Sequence, residues 1–317
     1  MEQETTGGER PTRGGWLSVA GLFAVVLATS AFVHAAVVIG VPLLLLLAAR
    51  GFGNVATAAV SGFVILIVIG GSYGLWDGLW YAERAWAVLL GGWFLALQLL
   101  VPGWRLTSRA LAAAAGSAAV CAGVMAMRTG AWSALDGAVT QTVQADLEAT
   151  LAAVSVLGGS NALSPEMLSV VREVSAAQIA LFPALLGIES LAALGLAWWL
   201  RWRLLGEGGQ GLAPLRDFRF NDHLVWVLVG GLLLVTLQSG AALARVGSNA
   251  VVFMGALYAL RGAGVYLFIT GGMSVFGYVV LAVLLVLVPP AILGTAALIG
   301  IGDTWLDLRT RAASRAA

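Results

Sequence analysis

Apolar residues in this chain do not alternate with polar ones at the short periods of a water-soluble fold. They run on for about twenty positions at a time, separated by brief polar stretches. A membrane-crossing helix needs about 20 predominantly apolar residues. Such runs cover residues 16–49, 54–72, 85–101, 109–127, 174–200, 224–242, 249–269 and 275–301. The first carries no formal charge; it is too long for one span and just long enough for two short ones, with a hairpin at Gly40-Val41-Pro42 beside His34. The last is interrupted by Pro289-Pro290, which removes two amide donors and must break or kink a helix. The pattern predicts an all-α, polytopic transmembrane helical bundle of eight or nine spans.

One long hydrophilic stretch, residues 129–172, interrupts the series. Val139, Val143, Leu147, Leu151 and Val154 recur there at helical spacing, with Asp136, Asp146 and Glu148 on other faces. Gly158-Gly159-Ser160-Asn161 then breaks the helix, and Ser164-Pro165 starts another that runs on into the span at 174–200. The expectation is an extracytoplasmic amphipathic helix that caps the bundle or lies on its outer surface, or else a lid over a cavity that opens outward. The domain plan is a polar tail over 1–15, a transmembrane domain over 16–302 with a cytoplasmic loop at 204–222, and a polar Arg-rich tail over 303–317.

Orientation follows from arginines near span ends. A cytoplasmic N-terminus puts Arg10, Arg13, Arg50, Arg105, Arg109, Arg201, Arg203, Arg216 and Arg219 inside, and only Arg84, Arg128, Arg172 and Arg245 outside. Arg309, Arg311 and Arg315 also favour the inside, yet nine simple spans would place them outside. Either residues 275–301 fold back at the proline pair or an early run fails to span. The bacterial inner membrane is the expected location, with the lipid bilayer and further membrane-protein subunits as partners.

Composition sharpens this picture. Hydrophobic residues make up 60% of the 317 and charged residues 10%, against about 25% charged in soluble proteins, and mean hydropathy is +0.94. Too few charges exist to cover a water-facing surface. All 17 basic residues are Arg and they are scattered, so no nucleic-acid footprint forms. Cys121 is the single cysteine, and His34 and His223 lack any ligand pattern, so no metal site is expected. Gly206, Gly208 and Gly211 match the letters G-x-G-x-x-G but follow a membrane helix and precede Pro214, which marks a linker. Without a nucleophile elbow, a phosphate-binding loop or a zinc-protease motif, neither an enzyme nor a cofactor is predicted. Asp303 and Asp307 share a helix face just past the last span, where Arg309 and Arg311 offer ordinary salt bridges.

Two charges inside spans stand out. Glu189 lies about 16 Å from the Trp198-Trp199-Leu200-Arg201 end of its run, near the midplane. Arg261 lies within the run at 249–269. A lone charge in hydrocarbon costs several kcal/mol, so such residues face the bundle interior and usually find one another. Glu189 and Arg261 are expected to pair or to line one polar cavity, with Asn249 and Gln178, and more weakly Gln98 and Gln238, beside them. The plainer alternatives are an ion pair that locks two helices or an arginine snorkelling to the inner interface. Arg216, Asp217, Arg219 and Asp222 form a candidate partner-docking loop.

From Ala213 onward the chain resembles the YybS-like family of bacterial membrane proteins. The marks are Pro214-Leu215-Arg216-Asp217-Phe218-Arg219-Phe220-Asn221-Asp222-His223-Leu224-Val225-Trp226, then Asn249, Tyr258-Ala259-Leu260-Arg261-Gly262, and Gly300-Ile301-Gly302-Asp303-Thr304-Trp305-Leu306-Asp307-Leu308-Arg309. Members often carry Gln at the position of Arg261. The family is distantly similar to substrate-binding components of energy-coupling-factor vitamin transporters and to the cell-shape protein MreD. The resemblance implies either a substrate-binding or solute-transport component with an intramembrane polar cavity, or a non-transporting scaffold or assembly factor. On either reading, the expressed chain is expected in the membrane fraction and released only by detergent; a monodisperse species in a detergent-free soluble extract would contradict it.

Overall fold

A computed structural model of the chain describes residues 78–158, 164–205, 213–237 and 240–316. The expectations for 16–49, with His34, and for 54–72 lie outside the described residues, as do those for Gly206, Gly208, Gly211 and Gln238. The described residues form helices α1 (Gly78–Leu100), α2 (Leu106–Met127), α3 (Ala131–Gly158), α4 (Pro165–Leu205), α5 (Val225–Thr236), α6 (Ala241–Ile269), α7 (Val275–Leu287), α8 (Pro289–Leu306) and α9 (Leu308–Ala316). Two 3-10 turns, Leu215–Asp217 and Asp222–Leu224, precede α5, and no strand occurs among the described residues.

By length and composition three helices can cross a membrane: α2, α4 over Pro165–Arg201, and α6. A fourth crossing exists if Phe276–Leu285 and Pro289–Leu306 count as one, although they meet at 113°. The bend falls at the proline pair, where amide donors are missing. Residues 275–306 therefore fold back there, and Arg309 ends beside Phe218 on the face of the bundle that carries the loop at 213–224.

Helix α4 starts as the Ser-Pro pair predicts: Ser164 Oγ accepts from the Met167 amide, and Pro165 takes the first helical position. The helix then continues without a break through the apolar run to Leu205. Helix α3 is amphipathic as expected. Val139 and Val143 are buried against Leu79 of α1 and Phe182 of α4, while Asp146 and Glu148 stay exposed. Its first half caps the bundle and its second half, with Val156 84% exposed, projects away.

Helix α6 is the axis of the second half of the chain, packing on α4, α5 and α8. Small residues let it come close. A Cβ on Gly262 would run into the carbonyl oxygen of Ala296, and one on Gly300 into that of Tyr258, so α6 and α8 touch backbone to backbone. A Cβ on Gly247 would lie 2.7 Å from the Gly231 carbonyl oxygen of α5, and one on Gly264 2.5 Å from that of Leu215. Such approaches replace the hydrophobic drive that helices lack in lipid with dispersion contact. Gly255, on the same helix, faces open space.

Gly262→Ala is expected to destabilise the protein by about 2 kcal/mol or more, the scale of overpacking against an unyielding neighbour. Gly255→Ala should be neutral or slightly stabilising. Denaturant unfolding in detergent micelles measures both, and equal effects would contradict the backbone contact.

Candidate functional site

Arg261 is 3% exposed and sits where α6 passes the loop and the C-terminal helices. Its Nε donates to Asp303 Oδ2 of α8 at 3.0 Å, and its Nη1 donates to Asp222 Oδ1 at the start of the second 3-10 turn. Its guanidinium carbon stands 5.5 Å over the Phe220 ring, which meets Tyr258 edge to face at 5.1 Å. Arg309 of α9 closes the group from below, its Nε 3.9 Å from Asp303 Oδ2 and its Nη2 donating to the carbonyls of Phe218 at 3.0 Å and Arg261 at 3.2 Å. Asp303 is 1% exposed and Arg309 3%. Two buried cations thus share one buried anion and one half-open one. Charges this far from water are stable only when they meet in good geometry and with extra hydrogen bonds.

An exposed rim surrounds this core. Arg219 reaches Asp307 at 3.4 Å, and Arg216 lies 3.8 Å from Asp217. Asp307 ends α8 in the left-handed region, at φ 41°, which its short polar side chain tolerates. The Thr310 hydroxyl, then Arg219, hold the Asp307 carboxyl below its ordinary value. Asn221 shapes the loop by accepting from the His223 amide at 3.0 Å. The candidate docking residues Arg216, Asp217, Arg219 and Asp222 are therefore brought together on one exposed surface.

The expected partnership of Glu189 and Arg261 does not form, and depth explains why. Helices α4 and α6 run parallel: Ala184 meets Asn249, and a Cβ on Gly187 would lie 3.1 Å from the Phe253 ring. Arg261 lies about 12 Å along α6 beyond Phe253, whereas Glu189 lies about 3 Å along α4 beyond Gly187. Glu189 is fully buried instead in a layer between α1 and α4. Its neighbour Ser190 accepts from the Trp86 indole at 2.8 Å, and Glu83, one turn before Trp86, is also buried. Asp303 and Asp307 likewise do not act together; one turns into the core toward Arg261 and the other out toward Arg219.

Asn249 serves the backbone rather than a cavity shared with Arg261. Pro183 in α4 has no amide proton, so the carbonyl of Ile179 loses its helical donor. Arg245 Nη2 donates to that carbonyl at 2.9 Å, and Arg245 Nε and Asn249 Nδ2 donate to the Ala180 carbonyl at 3.2 and 2.9 Å. Asn249 Oδ1 accepts from the Ala184 amide at 2.8 Å. An unsatisfied backbone group in lipid costs several kcal/mol, and two side chains four residues apart on α6 prevent that here. Arg245 also pairs with Asp136 of α3 at 2.6 Å. Gln178 is half-buried on α4, one turn before Phe182. A cleft of about 420 Å³ opens between α1, α2 and α3, lined by Ala82, Met125, Arg128, Ala134 and Ala138 among others. No group of three or more His, Cys, Asp or Glu side chains placed to hold a metal occurs among the described residues.

Double-mutant cycles separate these arrangements. Arg261→Leu and Asp303→Asn are each expected to cost about 3 kcal/mol or more, because each strands a buried charge. The pair should couple by at least about 1 kcal/mol. Arg261→Leu with Glu189→Gln should be additive within about 0.5 kcal/mol. Coupling between 189 and 261, read from unfolding in detergent, would overturn this geometry.

No curated protein and no solved structure matches the chain. The family described as "Predicted membrane protein (DUF2232)" matches residues 17–304. The match covers most of the sequence and includes Asp222, Arg261 and Asp303, but ends before Arg309. The chain belongs to this family of membrane proteins.

Proposed function

We propose that the protein is a non-enzymatic membrane subunit that works through a partner docked on the surface formed by the loop at 213–224 and by Asp307 and the start of α9. The observation that carries this reading is the contrast between a locked interior and an open rim. Arg261 and Arg309 tie the loop to three helices, while Arg216, Asp217, Asp222 and Asp307 keep between 51% and 63% of their side chains exposed. A loop held in one conformation loses little entropy on binding, which is what a recognition surface gains from preorganisation. Its interleaved charges suit a partner of mixed, complementary charge, whose mismatched competitors would be repelled.

The scaffold or assembly-factor form of this proposal draws support from the close packing of α4, α5, α6 and α8. It also draws support from the use of Arg261, Arg245 and Asn249 in structural contacts, and from the resemblance to MreD. The form in which the subunit binds or transports a solute draws support from the buried Glu83–Glu189 layer and from the cleft beside Arg128.

Exchanging the exposed pair, Arg216→Asp with Asp217→Arg, should leave the melting temperature in detergent unchanged. It should lower the amount of partner captured by cross-linking in native membranes at least tenfold. Undiminished capture with an intact fold would count against docking at this surface.

A further inference from the structure

Helix α4 is longer than one membrane crossing requires. Its 41 residues extend about 61 Å, whereas the hydrocarbon is about 30 Å thick. Counted back about 20 residues from Trp198 and Trp199 at its loop-side end, the hydrocarbon stops near Ile179. Residues 165–178 therefore stand in water, on the side opposite the loop at 213–224. The charges agree. Asp146, Glu148, Glu166, Arg172 and Glu173 are all exposed, and among the described residues Asp146, Glu148, Arg172 and Glu173 form no ion pair. Lone charges of this kind are expelled from hydrocarbon.

This part of α4 and the second half of α3 make a hairpin arm. Helix α3 packs along α4, with Val139 and Val143 in one core with Ile179 and Phe182. Leu147 and Leu151 of α3, and Leu168 and Val171 of α4, stay half-buried toward the tip. One face round from this seam, α4 bears a second apolar stripe. Met167, Val170 and Val174 are 52%, 56% and 49% exposed, and Ala177 continues the row. Their spacing of three and four residues puts them on one side of the helix. No acyl chain reaches them there. An apolar row in water, rimmed by polar residues, marks a surface of protein contact.

Charge decides what fits. Glu166 and Glu173, one heptad apart, edge the stripe, and residues 144–178 hold four acidic residues against one arginine. A second copy of the arm, or an anionic membrane surface, would bring like charges together. An amphipathic helix with apolar anchors at matching spacing and cations beside them meets both the stripe and its edge. We infer that the arm docks a basic amphipathic helix of another polypeptide, its apolar face on Met167, Val170 and Val174 and its cations along Glu166 and Glu173. This surface lies at the opposite end of α4 from the loop at 213–224, so the inference stands apart from the docking proposed there.

The test uses the full chain in phosphatidylcholine nanodiscs, with empty nanodiscs as reference. The probe is a fluorescent helical peptide of about three heptads with leucine at its core positions and arginine beside them; a second peptide carries glutamate in place of arginine. By anisotropy the arginine peptide should bind at least about tenfold more tightly than the glutamate peptide. Glu166→Arg with Glu173→Arg should reverse that preference; if this variant does not fold, Glu166→Gln with Glu173→Gln should erase it. Val170→Asp, at an exposed position, should leave the melting temperature unchanged and weaken binding at least about tenfold. Arg216→Asp, at the other end of the molecule, should alter neither. Equal affinity for the two peptides, binding of neither, or binding undiminished in Val170→Asp overturns the inference. So does a dimer of the protein that Val170→Asp dissociates, which would assign the stripe to a second copy.

Discussion

A guanidinium that cannot reach water has to be met by carboxylates, and the position of Arg261 halfway round a packed helix decides from where they come. Asp303 arrives on α8, Asp222 arrives on the loop before α5, and Arg309 follows Asp303 as a second cation sharing its charge. Segments some forty residues apart in sequence are thereby fixed to one another. The glycines make this convergence possible. Without the bare backbone at Gly262 and Gly300, α8 would stand too far out for Asp303 to reach, and without Gly264 the Leu215 carbonyl could not lie against α6. Close packing and charge neutralisation are two aspects of the same constraint.

The same rule governs the other half of the α4–α6 contact, with a backbone group in place of a charge. Pro183 exposes carbonyls that lipid cannot satisfy, and Arg245 and Asn249 answer them. The polar side chains of α6 are thus assigned to needs created by its neighbours, one set near each end of the helix.

Much of this was legible in the amino-acid order. The apolar runs that form α2, α4 and α6, the amphipathic stripe from Val139 to Val154, the Ser164-Pro165 start and the break at Pro289-Pro290 follow from local chemistry alone. Sequence reasoning also recognised that Glu189 and Arg261 each need compensation. It erred on the partner, because depth along a helix does not say which helix lies alongside or in what register. Asp303 was readable as a charge among small residues, but only the glycine crossing reveals that it turns inward. The partnership of Pro183 with Arg245 and Asn249 left a fainter trace. An interior proline announces unpaired carbonyls, and two polar residues one turn apart on another span are candidates to answer them. Buried Glu83 escapes the sequence pattern because the apolar run begins at residue 85, about two turns after the start of the helix that carries it.

The amide of Asn249 has a further consequence. It offers a donor to one residue of α4 and an acceptor to another, so it reads the axial position of that helix much as a key reads a notch. Sliding α4 by one turn against α6 would misalign both contacts at once and strand three main-chain groups in hydrocarbon. Shear between these two helices is therefore closed as a mode of motion. The two helices are thereby held as one unit, to which the Asp136–Arg245 ion pair joins α3 as well.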